Sequence, residues 1–127
     1  MTVGLATTTL ANQWLNMLRG TAFTAPTGTY IKLHTADPGS AGTANPSAVT
    51  TRASATFSAA SAGALALSNS PSFTMTATET ITHISVWDAS TAGNLLWTAA
   101  LTTSKSVVAT DTLTFTTLGV ALSPLAA

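Results

Sequence analysis

The chain has 127 residues, of which 46% are hydrophobic and only 6% charged, with no cysteine and a formal net charge of zero. That length makes one domain able to bury a core without staples, and the lack of cysteine excludes a disulfide framework or a thiolate metal site and fits a reducing compartment. Charged residues make up about a quarter of ordinary soluble domains, so a surface of threonine, serine and alanine suits a protein packed against neighbours; a neutral secreted β domain is the rival reading.

Residues 9–19 are the one predicted helix. Leu10, Trp14 and Leu18 recur at i, i+4 and i+8 with Ala11 and Leu15 beside them, forming an apolar stripe. Thr7, Thr8 or Thr9 offers an N-cap oxygen, and Arg19-Gly20 places a cation and then a glycine at the end. A helix this short must dock on something, and Trp14 reads as core rather than as a ligand platform. Residues 21–28 connect, with Pro26 holding the entry extended.

Residues 30–35 (YIKLHT) predict a strand with Ile31 and Leu33 on the core face and Tyr30, Lys32 and His34 on the other. Ala36-Asp37-Pro38-Gly39 is a turn in which aspartate bonds its own following backbone. The small-residue loop from there to Thr51 is long for a compact domain and is expected to be mobile or held by a neighbouring chain. Residues 52–57 and 64–68 read as short strands burying Phe57, Leu65 and Leu67, and 71–75 as another with Phe73 inward.

The plainest architecture lies between Glu79 and Phe115. Thr82, Ile84 and Val86 alternate with Ile81, His83, Ser85 and Trp87. A polar turn over 88–93 follows, and residues 94–102 return as the second arm of an antiparallel hairpin. Neither arm has a clean polar face, so both faces need cover from a second sheet, a helix or another subunit. Trp14, Ile81, His83 and Trp87 are accordingly the candidate interface residues. Strands over 106–109, 111–116 and 118–122 complete the chain, and the uncharged tail 122–127 is expected to stay soft. Residues 1–127 therefore read as a single, mainly β domain, an antiparallel sandwich or jelly roll with one short N-terminal helix.

Chemistry is hard to find in this chain. Arg19, Lys32, Arg52 and Lys105 are dispersed, which leaves no basic stripe for nucleic acid. Mean hydropathy is +0.39, yet no apolar run reaches the roughly 18–20 residues of a membrane span, and no cationic segment precedes the first apolar residues as in a signal peptide. His83 and Asp88 stand about 17 Å apart if on one strand. No Gly-x-Ser-x-Gly elbow, phosphate loop or HExxH motif occurs, and no serine or threonine is visibly paired with a base. The expectation is no catalytic residue, no cofactor and no metal. A carbohydrate-binding module is the rival from another class, with Tyr30, Trp87 and Trp97 as stacking surfaces; such sites also need several carboxylates and amides, and the chain has few.

Residues 18–26 (LRGTAFTAP) and 33–39 (LHTADPG), with 81–97 (ITHISVWDASTAGNLLW) and 100–105 (ALTTSK), resemble small virion proteins of tailed bacteriophages. The similarity extends from about residue 10 to about 120, and it is carried by the order and spacing of turns and strands rather than by any catalytic signature. Arg52 departs from it, preceding Ala-Ser-Ala-Thr-Phe where a more aromatic strand is expected. Proteins of this kind carry tail-fibre, minor tail or minor capsid labels. The resemblance implies a structural component of the virion, assembled in the host cytoplasm and not an enzyme. Capsid decoration is the first expectation and a minor tail or tail-fibre-associated role the alternative. The implied partners are copies of the chain itself, most simply a trimer, and virion proteins such as the major capsid protein, with no nucleic acid and no membrane.

Overall fold

The computed structural model describes residues 3–123, 125 and 126. The protein is mainly β and antiparallel throughout, with strands over 38% of the chain and helix over 9%. Among the described residues nine strands form: β1 (Gly4–Leu5), β2 (Tyr30–His34), β3 (Ala53–Ser54), β4 (Ala64–Ala66), β5 (Ser72–Thr74), β6 (Glu79–Trp87), β7 (Leu95–Val107), β8 (Thr112–Thr114) and β9 (Gly119–Ala121). Five make one sheet in the order β1-β7-β6-β2-β3, while β4 with β9 and β5 with β8 form two-stranded ribbons. Ribbon residues Leu65, Leu113 and Phe115 face Ile84 and Ala99 of the sheet across a shared groove, so the layers are sandwich-like, as the strand spacing predicts.

β6 is the middle strand of the large sheet, and its two faces differ. Directly opposed residues in an antiparallel ladder share a face. On one face lie the rows Ile31–Val86–Trp97 and Leu33–Ile84–Ala99; on the other lie Tyr30–Trp87–Leu95, Lys32–Ser85–Thr98 and His34–His83–Ala100. The first face is dry. Ile31, Leu33, Ile84 and Val86 are buried in one cluster with Phe73, Met75 and Phe115 from the ribbon side. Phe73 and Phe115 meet edge to face at 6.1 Å, and Phe57 tilts onto Trp97 at 6.0 Å. Phe57, Leu65 and Leu67 are half-buried around this cluster rather than enclosed by it.

Several expectations change. The return arm of the hairpin does not stop near Thr102: β7 runs on to Val107 and absorbs the strand expected over 106–109. It does so through an irregularity. Between the pairs Ile81–Lys105 and His83–Ala100, β6 advances two residues and β7 five, so the extra backbone bulges out and bends the strand. A second shift, between Val86 and Trp87, leaves Leu96 unopposed.

The helix also begins and ends differently from expectation. It opens with a π-helical turn over Thr7–Ala11, in which the Ala11 N–H donates to the Ala6 carbonyl at 2.9 Å, and only then becomes α1 (Asn12–Met17). The stripe nevertheless keeps its phase: Leu10 is buried and Trp14 packs on the core. Leu18, one α-turn further on at the end of the helix, is 86% exposed, so the stripe runs past the cover of the core. No threonine caps the helix; Ala6 holds the N-cap position without a side-chain bond, and the Thr9 hydroxyl donates instead to the Leu95 carbonyl. The glycine stop is as expected, with Gly20 at φ +87° and its N–H on the Met17 carbonyl. The expectation for the tail falls partly on Pro124 and Ala127, outside the described residues; Leu122 donates its N–H to the Gly63 carbonyl.

Candidate functional site

The polar face of β6 carries a buried side-chain hydrogen-bond relay. His34 ends β2, where alternation turns it away from Leu33 and the dry core, and it is fully buried. Its Nδ1 lies 2.8 Å from the Ala44 carbonyl and its Nε2 2.7 Å from the Ser85 hydroxyl. A carbonyl only accepts, so the proton sits on Nδ1 and Nε2 accepts from Ser85. The Trp87 indole N–H completes the chain by donating to Ser85 Oγ at 2.8 Å. Every donor in this relay has one acceptor, which holds the imidazole neutral. Burial pushes the His34 pKa below its ordinary value; the bond to Ala44 opposes this, and Lys32 and His83 add repulsion.

This relay holds the loop that was expected to be mobile or held by another chain. Residues 36–51 are fastened by the chain's own groups: Thr35 N–H to Asn45 O, Asn45 Nδ2 to Asp37 O, and Ser47 N–H to Leu33 O. The Glu79 carboxylate accepts from the Ser47 hydroxyl and the Ala48 N–H. At Asp37, Oδ1 accepts the Gly39 N–H at 2.8 Å, the self-bonded turn the sequence predicts. Gly42 sits at φ +70° against Leu95 and Trp87, and a Cβ there would come within 2.7 Å of Leu95 Cδ1, so only glycine lets the backbone approach this closely.

Arg52 closes the same face from the other end. Its guanidinium lies 4.2 Å from the centre of the Trp87 ring and donates to the Ala89 and Ala92 carbonyls, each at 2.7 Å. Burial lowers its pKa against the pull of Asp88, and it stays a cation. Asp88 in turn accepts the backbone and side-chain N–H groups of Asn94 at 2.7 and 2.9 Å, fixing the β6–β7 turn. Thus the arginine that departs from the resemblance is a clamp on that turn.

Of the candidate interface residues, Ile81 is fully buried and Trp87 is 8% exposed. Both are enclosed by their own chain. His83 is half-buried, with Nδ1 2.7 Å from the Thr82 hydroxyl, and Trp14 is half-buried against the core. Of the stacking surfaces weighed for a sugar, Trp87 and Trp97 are buried and Tyr30 is half-buried. Trp97 Nε1 lies on the dry face with no acceptor among the described residues. Sequence reasoning missed that a serine and a histidine pair; a strand alternation that places His34 and Ser85 on one face of neighbouring strands was the available signal. Ser85 and His34 are both sealed from solvent, so the pair can orient a loop but cannot meet a substrate. Among the described residues, no group of three or more His, Asp and Glu side chains converges as metal ligands, and no helix is long and apolar enough to cross a membrane.

No curated protein matches the chain. A family described as podophage GP4 fiber I protein gp80 matches residues 5–123. A fibre family fits the tail-fibre alternative better than the capsid decoration placed first from the sequence, and the order of those two expectations is corrected accordingly. With almost the whole folded domain inside the match, the chain belongs to this fibre family and is a tail-fibre-type structural protein of a bacteriophage virion.

Proposed function

We propose that the protein is a non-catalytic building block of a tail-fibre assembly, joined to copies of itself and to neighbouring virion proteins by apolar, charge-poor contacts. The observation that carries this is the end of the helix: Leu15 is 63% exposed, Met17 49% and Leu18 86%. Leu15 and Leu18, three residues apart on one side of the helix end, with Met17 beside Leu18, leave apolar surface that water disfavours and a partner would cover. We place the interface at this end of α1, where the apolar side chains are exposed. The simplest closed arrangement of identical chains about such a patch is a trimer or a ring.

Light scattering tests the self-association. The parent chain is expected to run as an oligomer, and Leu15→Ser with Leu18→Ser as a monomer with an unchanged circular dichroism spectrum. A parent that stays monomeric at high concentration, or a variant that still assembles, overturns the reading. Antibody labelling of intact particles should mark the tail, and label confined to the head would refute the placement.

A further inference from the structure

We propose that the cleft between the helix, the 22–27 connector and the β6–β7 turn is a binding site for an uncharged pyranose. This goes beyond the fibre reading and does not rest on it. The cleft encloses about 530 Å³, inside the range of about 300–1,000 Å³ of small-ligand sites. The sequence argued against sugar binding because carboxylates and amides are few; the fold gathers them. Gln13 from α1, Thr24 from the connector, and Asp88 with Asn94 from the two ends of the turn all line this one cleft.

Each group has the capacity a sugar hydroxyl requires. Asp88 spends one lone pair of each oxygen on Asn94, which fixes the carboxylate and leaves further lone pairs to accept. Asn94 gives one side-chain N–H to Asp88 and keeps its carbonyl oxygen. The half-buried Gln13 amide forms no hydrogen bond with any described residue and so offers both a donor and an acceptor. Phe23 is half-buried and packed on the core, and it lines the cleft as a fixed apolar surface for the C–H face of a pyranose ring. No Lys, Arg or His lines the cleft; Arg52 attracts Asp88 from outside it, so no cation inside the cleft meets the charge of an acidic sugar or a phosphate, and the carboxylate disfavours both.

The test is a titration of the isotope-labelled full chain, followed by amide NMR, with the methyl glycosides of glucose, galactose, mannose and rhamnose and with N-acetylglucosamine. At least one should give saturable shifts of the Gln13 and Asn94 side-chain amides at millimolar concentrations. The methyl glucuronide should bind more weakly than the methyl glucoside, from which it differs only by its carboxylate. Gln13→Ala should weaken binding about tenfold, the worth of one hydrogen bond of about 1.4 kcal/mol. Thr24→Val is exposed and nearly isosteric, and it should weaken binding in the same direction if Gln13→Ala disturbs the fold. Absence of saturable shifts with every neutral sugar overturns the proposal. So do shifts centred on another surface, equal binding of the glucuronide, or affinity unchanged in both variants.

Discussion

The two faces of β6 solve the same problem by opposite means. On the ribbon side, Ile84 and Val86 sit among Ile31, Leu33 and Phe115, held by shape and the removal of apolar surface from water. On the loop side, Ser85 and Trp87 sit under a segment with almost no side-chain bulk, and what holds them is directional: the relay from Trp87 through Ser85 and His34 to the Ala44 carbonyl. Apolar packing fixes how close two layers come, whereas hydrogen bonds fix which atom meets which. A loop made of Gly, Ser, Ala and Asn cannot be located by volume, so it is located by donors and acceptors.

The largest break in this comparison is expected at Trp87, which belongs to both mechanisms. It fills space against Gly42, supports Arg52 and starts the relay. Trp87→Ala should cost about 3–5 kcal/mol, the range for a large buried aromatic, read by urea or guanidinium unfolding. A loss below about 1 kcal/mol, the scale of an ordinary surface change, would show that the ring is not enclosed as described.

A smaller effect separates directional from volumetric holding. His34→Leu keeps an apolar group of similar size but leaves the Ala44 carbonyl and the Ser85 hydroxyl unpaired, and should cost about 2–3 kcal/mol. Ser85→Ala strands the Trp87 indole N–H in either background, but the broken His34–Ser85 bond is counted in both single variants and only once in the double, so the double variant should be less unstable than the two single losses predict. Strict additivity would mean that the relay carries no coupling.

The smallest effect is with pH. Because the His34 pKa is lowered from 6.5 in the folded state, the unfolded chain binds the proton first as pH falls. The contribution of the neutral ring is therefore complete above about pH 6.5 and is lost progressively as pH drops below that towards the folded value. Unfolding measured between pH 7 and 5 should show stability falling with acid in the parent and a flatter profile in His34→Leu. Equal slopes would place the proton uptake elsewhere.

Much of this architecture was legible in the sequence. The alternation of Ile84 and Val86 against Ser85 and Trp87 announces a doubly covered strand, and Asp37-Pro-Gly announces its turn. Other parts were not legible. The helical stripe runs past the cover of the core at the helix end, so Leu18 faces out. The irregularity in β7 joined two predicted strands. Periodicity cannot report a phase slip that leaves composition unchanged. The loop was missed for another reason: its anchors, His34 and Glu79, lie outside it in sequence. The polar groups of the Gln13–Asp88 cleft were counted in the sequence, but their convergence is a property of the turn geometry.

The irregularity over residues 101–104 also bears on solubility. On its outer edge β7 is covered by β1 only at Trp97 and Thr98, and no other described strand pairs along that side. A straight strand of 13 residues with few charges nearby would offer a long row of open N–H and C=O groups, a template for aggregation with other copies in any register. The bulge breaks that row into two short lengths that twist apart, and Lys105, the exposed cation on the second, discourages a flush neighbour. In a chain with so few charges, this bent edge disfavours strand-to-strand aggregation between copies.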